Sequence, residues 1–299
     1  MKINYLDRET GCVHEEKVAG EKYLKWLYSN PLGMGLLELV FKKKMFSHIY
    51  GRLQDMSWSK GKVSTFVKDY DIQLDECKKE LHQFSSFNDF FYRELKEGAR
   101  KIEMDKDVVI SPADGRLLVY DKIAIDNLLQ IKGSTYSMID LIGNKQLAET
   151  YEQGVCYIIR LCPVDYHRFH FPDSGMPGKA KEVKGHYYSV NPIALHKKAQ
   201  IYCQNKRDIT IFDSDNFAKI LLMEVGATCV GSIVHTFNPR QWVKKGSEKG
   251  YFKFGGSTVI MFFQPGIIEP DQDLLINTEK GIETKVKMGM SIGKKRTMI

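Results

Sequence analysis

Two periodicities divide the chain near residue 100. Before that point apolar positions recur at helical spacing. Beyond about residue 107 they come as short runs of strand character, separated by Gly, Pro, Asn and Asp. Residues 1–20 predict a short strand or hairpin with polar turns. Residues 21–100 predict a mainly helical region. Pro31, Gly33 and Gly35 break its first pattern, Leu36 to Leu53 forms the next helix, and Ser64 caps one running through Tyr70. Two more helices are predicted over 74–84 and 87–96. The second is rich in aromatics (Phe87, Phe90, Phe91, Tyr92) and ends at Glu97-Gly98-Ala99-Arg100. Strands are predicted over 107–111, 116–123, 155–162, 181–190, 208–213, 218–225, 229–236, 257–263 and 282–287, with a small helix near 136–142. The fold class that follows is α+β: an N-terminal helical layer, residues 1–100, packed on a largely antiparallel β core, residues 101–299. There is no long linker, internal repeat or low-complexity tract. The polar stretch Asn238 to Gly250, with its Gly and Ser residues, predicts a mobile loop.

Composition narrows the class. With 43% hydrophobic and 27% charged residues over 299 positions, the chain reads as globular and long enough for a sizeable core. The charged start, MKINYLDRETGCVHEE, lacks the apolar region of a signal peptide, and no apolar run approaches a membrane span. A soluble or peripheral protein is expected. Six cysteines without a CxxC pair or zinc spacing suit a reducing cytosol. The net charge of +7 is concentrated: between Lys22 and Lys62, eight basic residues stand against two acidic ones. Tyr23, Trp26, Leu36, Leu39, Val40, Phe41, Met45 and Phe46 share that stretch. Such a mixture fits an amphipathic element lying on an anionic membrane, or an ordinary helix with solvated lysines. Nucleic acid is the weaker partner, because the basic excess is local and no recognised module accompanies it.

Four segments carry candidate chemistry. Gly255-Gly256-Ser257-Thr258 stands between an aromatic lead-in and the apolar run Val259 to Phe263. Two glycines before a strand commonly mark a turn or bulge. They also leave the Gly256 carbonyl unshielded, open to Ser257 Oγ if a base takes its proton. Ser111-Pro112-Ala113-Asp114-Gly115-Arg116 reads as a turn with an available carboxylate. Pro163-Val164-Asp165-Tyr166-His167-Arg168-Phe169-His170-Phe171-Pro172 holds two histidines that a regular strand would send to opposite sides. Both serve one site only if the backbone bulges or turns there. Val225 to Ile233 is rich in small residues, which permits close backbone approach or tight packing. An Asp, a His and a Ser suffice for a self-activating nucleophile. A metal reading would use His167 and His170 with Asp114 or Asp165, but HxxH without a Glu is a poor zinc signature.

Taken together, PADG, YHRFHFP, YSVNPIAL (Tyr188 to Leu195), VGATCVGSI and FGGSTVIMFF resemble, in order and context, the phosphatidylserine decarboxylase family. FNDFFYRELKEGAR (Phe87 to Arg100) fits as well. The resemblance covers about residues 85–265, and the N-terminal helices match more loosely. Many members carry Leu where this chain has Gly255. The resemblance implies self-cleavage between Gly256 and Ser257 into a β chain (1–256) and an α chain (257–299). Ser257 then becomes a covalent pyruvoyl cofactor, and no metal is implied. It further implies decarboxylation of phosphatidylserine to phosphatidylethanolamine through a Schiff base. His170 is implied as the base for self-cleavage with Asp114 orienting it, and His167 as the proton donor in decarboxylation. A homodimer docked peripherally on the cytoplasmic face of the cell membrane through residues 1–100 completes the expectation. Two rivals make different demands: a serine hydrolase using Asp114, His170 and Ser257 on an external ester, and a non-catalytic membrane adaptor.

Overall fold

The computed structural model describes residues 3–18, 20–125, 129–131, 134–197, 201–227, 233–255 and 257–297. Its centre is a sheet in which the strands lie in the order Lys181–Val183, Arg207–Ser214, Lys219–Gly226, Ser257–Phe263, Val155–Leu161, Gly115–Tyr120, Glu283–Val286, Asn4–Asp7 and Val13–Glu15. A further strand, Gly175–Pro177, pairs with Arg207–Ser214. Every neighbouring pair is antiparallel except Asn4–Asp7 with Glu283–Val286. The expected α+β class holds.

All seven residues of Ser257–Phe263 are buried, because both faces of the sheet are covered. Ile260 and Phe262 pack with Leu221, Met223, Tyr188 and Tyr202 on one face. Val259, Met261 and Phe263 pack with Leu222, Phe169, Phe171 and Phe252 on the other. That two-sided burial is why the run reads as continuously apolar in the sequence. The small strands Arg168–His170, Glu248–Phe252 and Ile233–His235 form a separate antiparallel sheet.

The helical layer sits beside this core. A third apolar cluster, Val63, Phe84, Phe87, Phe90 and Phe91 with Phe66 and Phe254, joins it to the residues before Ser257. The YSVNPIAL segment fastens it elsewhere: Ser189 N–H donates to Tyr28 Oη (2.9 Å) and Tyr188 Oη donates to Glu38 (3.0 Å).

Several boundaries are corrected. The single helix expected from Leu36 to Leu53 is divided into Pro31–Leu36, a wider π turn Leu37–Phe41 and a helix Lys44–Asp55. Lys43 is extended at the break, where the Lys42 carbonyl accepts from Tyr187 N–H (3.1 Å) of the β core. Ser64 does not cap: it lies inside Gly61–Tyr70, which continues a 3-10 turn at Ser57–Lys60. The helix expected over 74–84 gives way to turns and a 3-10 turn at Leu81–Gln83. The backbone there pairs with another segment instead, Lys78 N–H with the Glu94 carbonyl and Lys96 N–H with the Glu76 carbonyl. For the same reason the helix expected over 87–96 stops at Phe91. The strand expected over 181–190 ends at Val183, and of 229–236 only Ile233–His235 falls within a described strand, residues 228–232 lying outside the described residues.

Candidate active site

Ser257 opens the central strand, in register with Leu161 on one side and Gly226 on the other, and has no exposed surface. Its Oγ lies 3.2 Å from His167 Nδ1. The other ring nitrogen, His167 Nε2, lies 2.9 Å from the Cys162 carbonyl. A carbonyl only accepts, so Nε2 carries the hydrogen and Nδ1 presents a lone pair to the serine hydroxyl. Burial disfavours the imidazolium and pushes the His167 pKa down to about 3. Asp165 opposes that shift and Arg93 adds to it. The ring is therefore neutral at neutral pH and ready to accept a proton. Phe91 stacks on it with centroids 3.8 Å apart, and Phe252 N–H holds the His167 carbonyl at 2.9 Å.

His170 occupies a different environment. Its Nδ1–H donates to the Gly246 carbonyl (2.9 Å), which leaves Nε2 to accept from Tyr166 Oη (3.1 Å). Burial lowers its pKa as well, against the raising effects of the Gly246 bond and the carboxylates of Glu248 and Asp114. Asp114 does not touch it. Both Asp114 oxygens are taken by Arg100 (3.0 and 2.6 Å), and Met288 N–H adds a bond of 2.8 Å.

The imidazole on Ser257 is that of His167, and Asp114, His170 and Ser257 form no direct hydrogen-bonded chain among the described residues. The physical reason is strand parity. Arg168–His170 is a regular short strand, so residues 167 and 170 leave it on opposite sides. The register irregularity that could have brought them together lies in the opposing strand, between Glu248 and Gly250. Asp165, the alternative carboxylate, pairs with Arg116 (2.6 Å) and accepts from Cys162 N–H (2.7 Å).

Gly255 has φ of 141°, a conformation that side-chain-bearing residues rarely adopt, so glycine suits this position. Gly256 lies outside the described residues, as do Thr228 to Ser232 of the small-residue motif. The stretch from Asn238 to Gly250 is not loose. Val243 pairs with Gly175, and the buried Lys245 ammonium donates to the carbonyls of Asp105 (2.6 Å) and Val108 (2.7 Å). His235 pairs with Asp208 (3.0 Å) and packs edge-on to Phe169. A polar cavity of about 620 Å³ is lined by Arg93, Arg100, Asp114, Arg116, Cys162 and Tyr166 among others.

Sequence reasoning missed Tyr166, Arg100, Phe91 and Cys162. Tyr166 stood beside His167 in the motif, and Arg100 had been read only as a helix end. The role of Cys162 is a backbone carbonyl, which no residue type announces.

The site of this α+β protein is thus a hydroxyl with no exposed surface set against a neutral imidazole, preceded in the sequence by two glycines. Neither the hydrolase nor the adaptor reading is supported by the similarities that follow. The sequence profile of the family described as phosphatidylserine decarboxylase matches residues 87–294. Proteins named phosphatidylserine decarboxylase proenzyme are similar along nearly the whole chain. The one from Clostridium beijerinckii is 51% identical over 98% of this chain and 99% of its own. Those from Clostridium perfringens (50%, 98% and 100%) and Clostridium novyi (52%, 98% and 99%) agree. The chain belongs to the phosphatidylserine decarboxylase family.

Proposed function

We propose that the chain is a phosphatidylserine decarboxylase that cuts itself between Gly256 and Ser257 and converts Ser257 into its own pyruvoyl group. One observation carries the reading: in a chain of this family, Ser257 Oγ lies 3.2 Å from the bare nitrogen of a neutral His167. Ser257 Oγ attacks the Gly256 carbonyl carbon while its proton passes to His167 Nδ1. The carbon–nitrogen bond then breaks, His167 returns the proton to the departing Ser257 nitrogen, and the amide becomes an ester. Loss of the Ser257 α-proton and departure of the Gly256 carboxylate leave a dehydroalanine. Its reaction with water releases ammonia and leaves a ketone. The products are a β chain of residues 1–256 and an α chain of residues 257–299.

The pyruvoyl ketone supplies a carbonyl that condenses with the substrate's amine and takes up the electrons left behind when CO2 departs. The surrounding residues fit such a group. Thr258 onward remains paired with Arg160 and Val225, so the new terminus is held by a central strand. His167, whose Nδ1 faces position 257, is assigned the return of a proton to the reacting carbon. His170, held by Gly246 and Tyr166 in the field of Asp114, supports self-cleavage from the other side of the strand.

The substrate is a lipid, and the N-terminal helices are suited to reach it. No helix among the described residues is long and apolar enough to cross a membrane. Yet Leu32, Leu39, Met45, Ile49 and Trp58 are exposed beside the basic residues, an arrangement that supports peripheral attachment to an anionic surface at the cytoplasmic face of the cell membrane. A homodimer belongs to the same reading, checked by light scattering.

Denaturing electrophoresis with intact-mass analysis, beside Ser257→Ala, tests the function. The wild type is expected to yield the 43-residue fragment 257–299, lighter by one ammonia than the serine-started peptide, while the variant stays whole. A folded wild-type chain that remains uncut overturns the proposal.

A further inference from the structure

The reaction proposed above needs the Gly256 carbonyl to wait beside Ser257 Oγ, and the local sequence does little to keep it there. Gly255 and Gly256 are two residues without Cβ and have wide backbone freedom. Ser257 is fixed by the sheet on one side. On the other side, the nearest fixed point is Phe254, and one side chain fixes its backbone. Asn88 Oδ1 accepts the Phe254 N–H at 2.7 Å.

Asn88 is fully buried on the short helix Phe87–Phe91, and its amide is fully used. Nδ2 donates to the Gly51 carbonyl (3.1 Å) and to Asp55 Oδ1 (2.9 Å), both on the surface helix Lys44–Asp55. Lys253 Nζ reaches the second oxygen of Asp55 at 3.0 Å. The Phe254 ring packs edge-on against Phe87 and Phe91, each at 5.0 Å, and Phe91 stacks on His167. One helical turn therefore holds both reacting partners: Asn88 the backbone leading to the scissile carbonyl, and Phe91 the ring of the base.

We propose that Asn88 is a positioning residue for self-cleavage, tying the scissile segment to the surface helix Lys44–Asp55. The inference rests on the self-cleavage reading. Bringing nucleophile and carbonyl into attack distance is worth orders of magnitude in an intramolecular reaction, and small displacements forfeit much of that. Without the bond to Phe254, a two-glycine arm swings from a loose end. Cleavage then slows although Ser257 and His167 are untouched.

The test follows cleavage of the full chain over time, with thermal melting of each variant. Asn88→Leu keeps the side-chain size and removes every hydrogen bond. It is expected to slow cleavage at least tenfold. Asn88→Asp combined with Asp55→Asn keeps an oxygen for Phe254 N–H and places an amide on the surface helix, while the Gly51 carbonyl loses its donor. It is expected to cleave faster than Asn88→Leu, a partial rescue that loss of generic packing does not predict. Asp55→Ala alters a side chain that is over one-third exposed, so folding is retained, and is expected to slow cleavage about threefold to tenfold. A folded Asn88→Leu cleaving at the wild-type rate overturns the proposal. So does an unchanged rate in Asp55→Ala, which decides the matter even if the Asn88 variants do not fold. An uncut wild type would instead remove the self-cleavage reading itself.

Discussion

The Ser257–Phe263 strand and the helices between Glu21 and Tyr70 use apolar residues in opposite ways. Every residue of the strand is buried, and the hydroxyl at its head shares that dry environment. In the helices, Tyr23 is 81% exposed, Leu32 75% and Met45 70%, with lysines between them. A core treats such residues as a defect, whereas a surface that meets a bilayer requires them. The contrast separates two jobs. Desolvation keeps His167 neutral and its lone pair on Ser257, while the exposed layer leaves apolar area that the docking proposal assigns to the lipid phase. Asn88 links the two regions, bonded to Gly51 and Asp55 on one side and to Phe254, three residues before Ser257, on the other.

The sharpest way to break this comparison lies in the buried half. His167→Ala is expected to slow self-cleavage by about 10²–10⁴-fold, or about 3–5 kcal/mol, as loss of a general base does. His170→Ala, one contact further away, is expected to cost less. Gel time courses of both variants measure the order, and a reversed ranking would restore the assignment expected from the motif. In the exposed half, replacing Lys42, Lys43 and Lys44 together by Gln is expected to weaken anionic-vesicle binding by up to about 3 kcal/mol, while cleavage proceeds normally. Lys42 is paired with Glu38, which makes that figure an upper value. Sedimentation with vesicles of phosphatidylserine and phosphatidylcholine reads it, and unchanged binding would detach the basic stretch from membrane docking.

Acid probes the buried half again, with a smaller effect. Unfolded His167 takes up a proton near pH 6.5, whereas the folded ring resists until about pH 3. Stability is therefore full above pH 6.5 and lost as the pH falls toward 3. His167 alone accounts for about 2 kcal/mol between pH 6.5 and 5. Burial of His170 acts in the same direction. Thermal melts of the uncut Ser257→Ala chain measure this, and a flat profile would contradict a neutral, buried pair. The smallest effect belongs to the surface: Leu39→Ser with Met45→Ser is expected to change folding stability by less than about 0.5 kcal/mol at each site while lowering vesicle affinity. A large loss in melting would show that these side chains pack against the protein.

The strands of the main sheet were legible because two-sided burial writes continuous apolar runs such as Val155–Leu161 and Ser257–Phe263. The helices were less so. Residues 74–84 have helical spacing, but their backbone is claimed by Glu94 and Lys96, far along the chain, and no local pattern records that. At the site, Asp114, His167, His170 and Ser257 were all named from motifs. Which histidine meets the serine depends on strand parity and on where Cys162 turns its carbonyl. The partner of Asp114 was hidden because Arg100 looked like a helix end. Asn88 was hidden inside an aromatic string whose apolar neighbours drew the reading.

Under the proposed cut between Gly256 and Ser257, the threading of the C-terminal segment has a consequence for the matured protein. Ser257–Phe263 lies between two strands from residues 1–256, as does Glu283–Val286, which is further tied by Arg160–Glu283 and Lys285–Asp7. Before the cut, this weave forms within one molecule. After it, denaturation separates two fragments, and their reassembly becomes a second-order encounter that weakens with dilution. The precursor is then the only form that can fold at low concentration, and maturation makes the fold a one-way record of having been assembled whole.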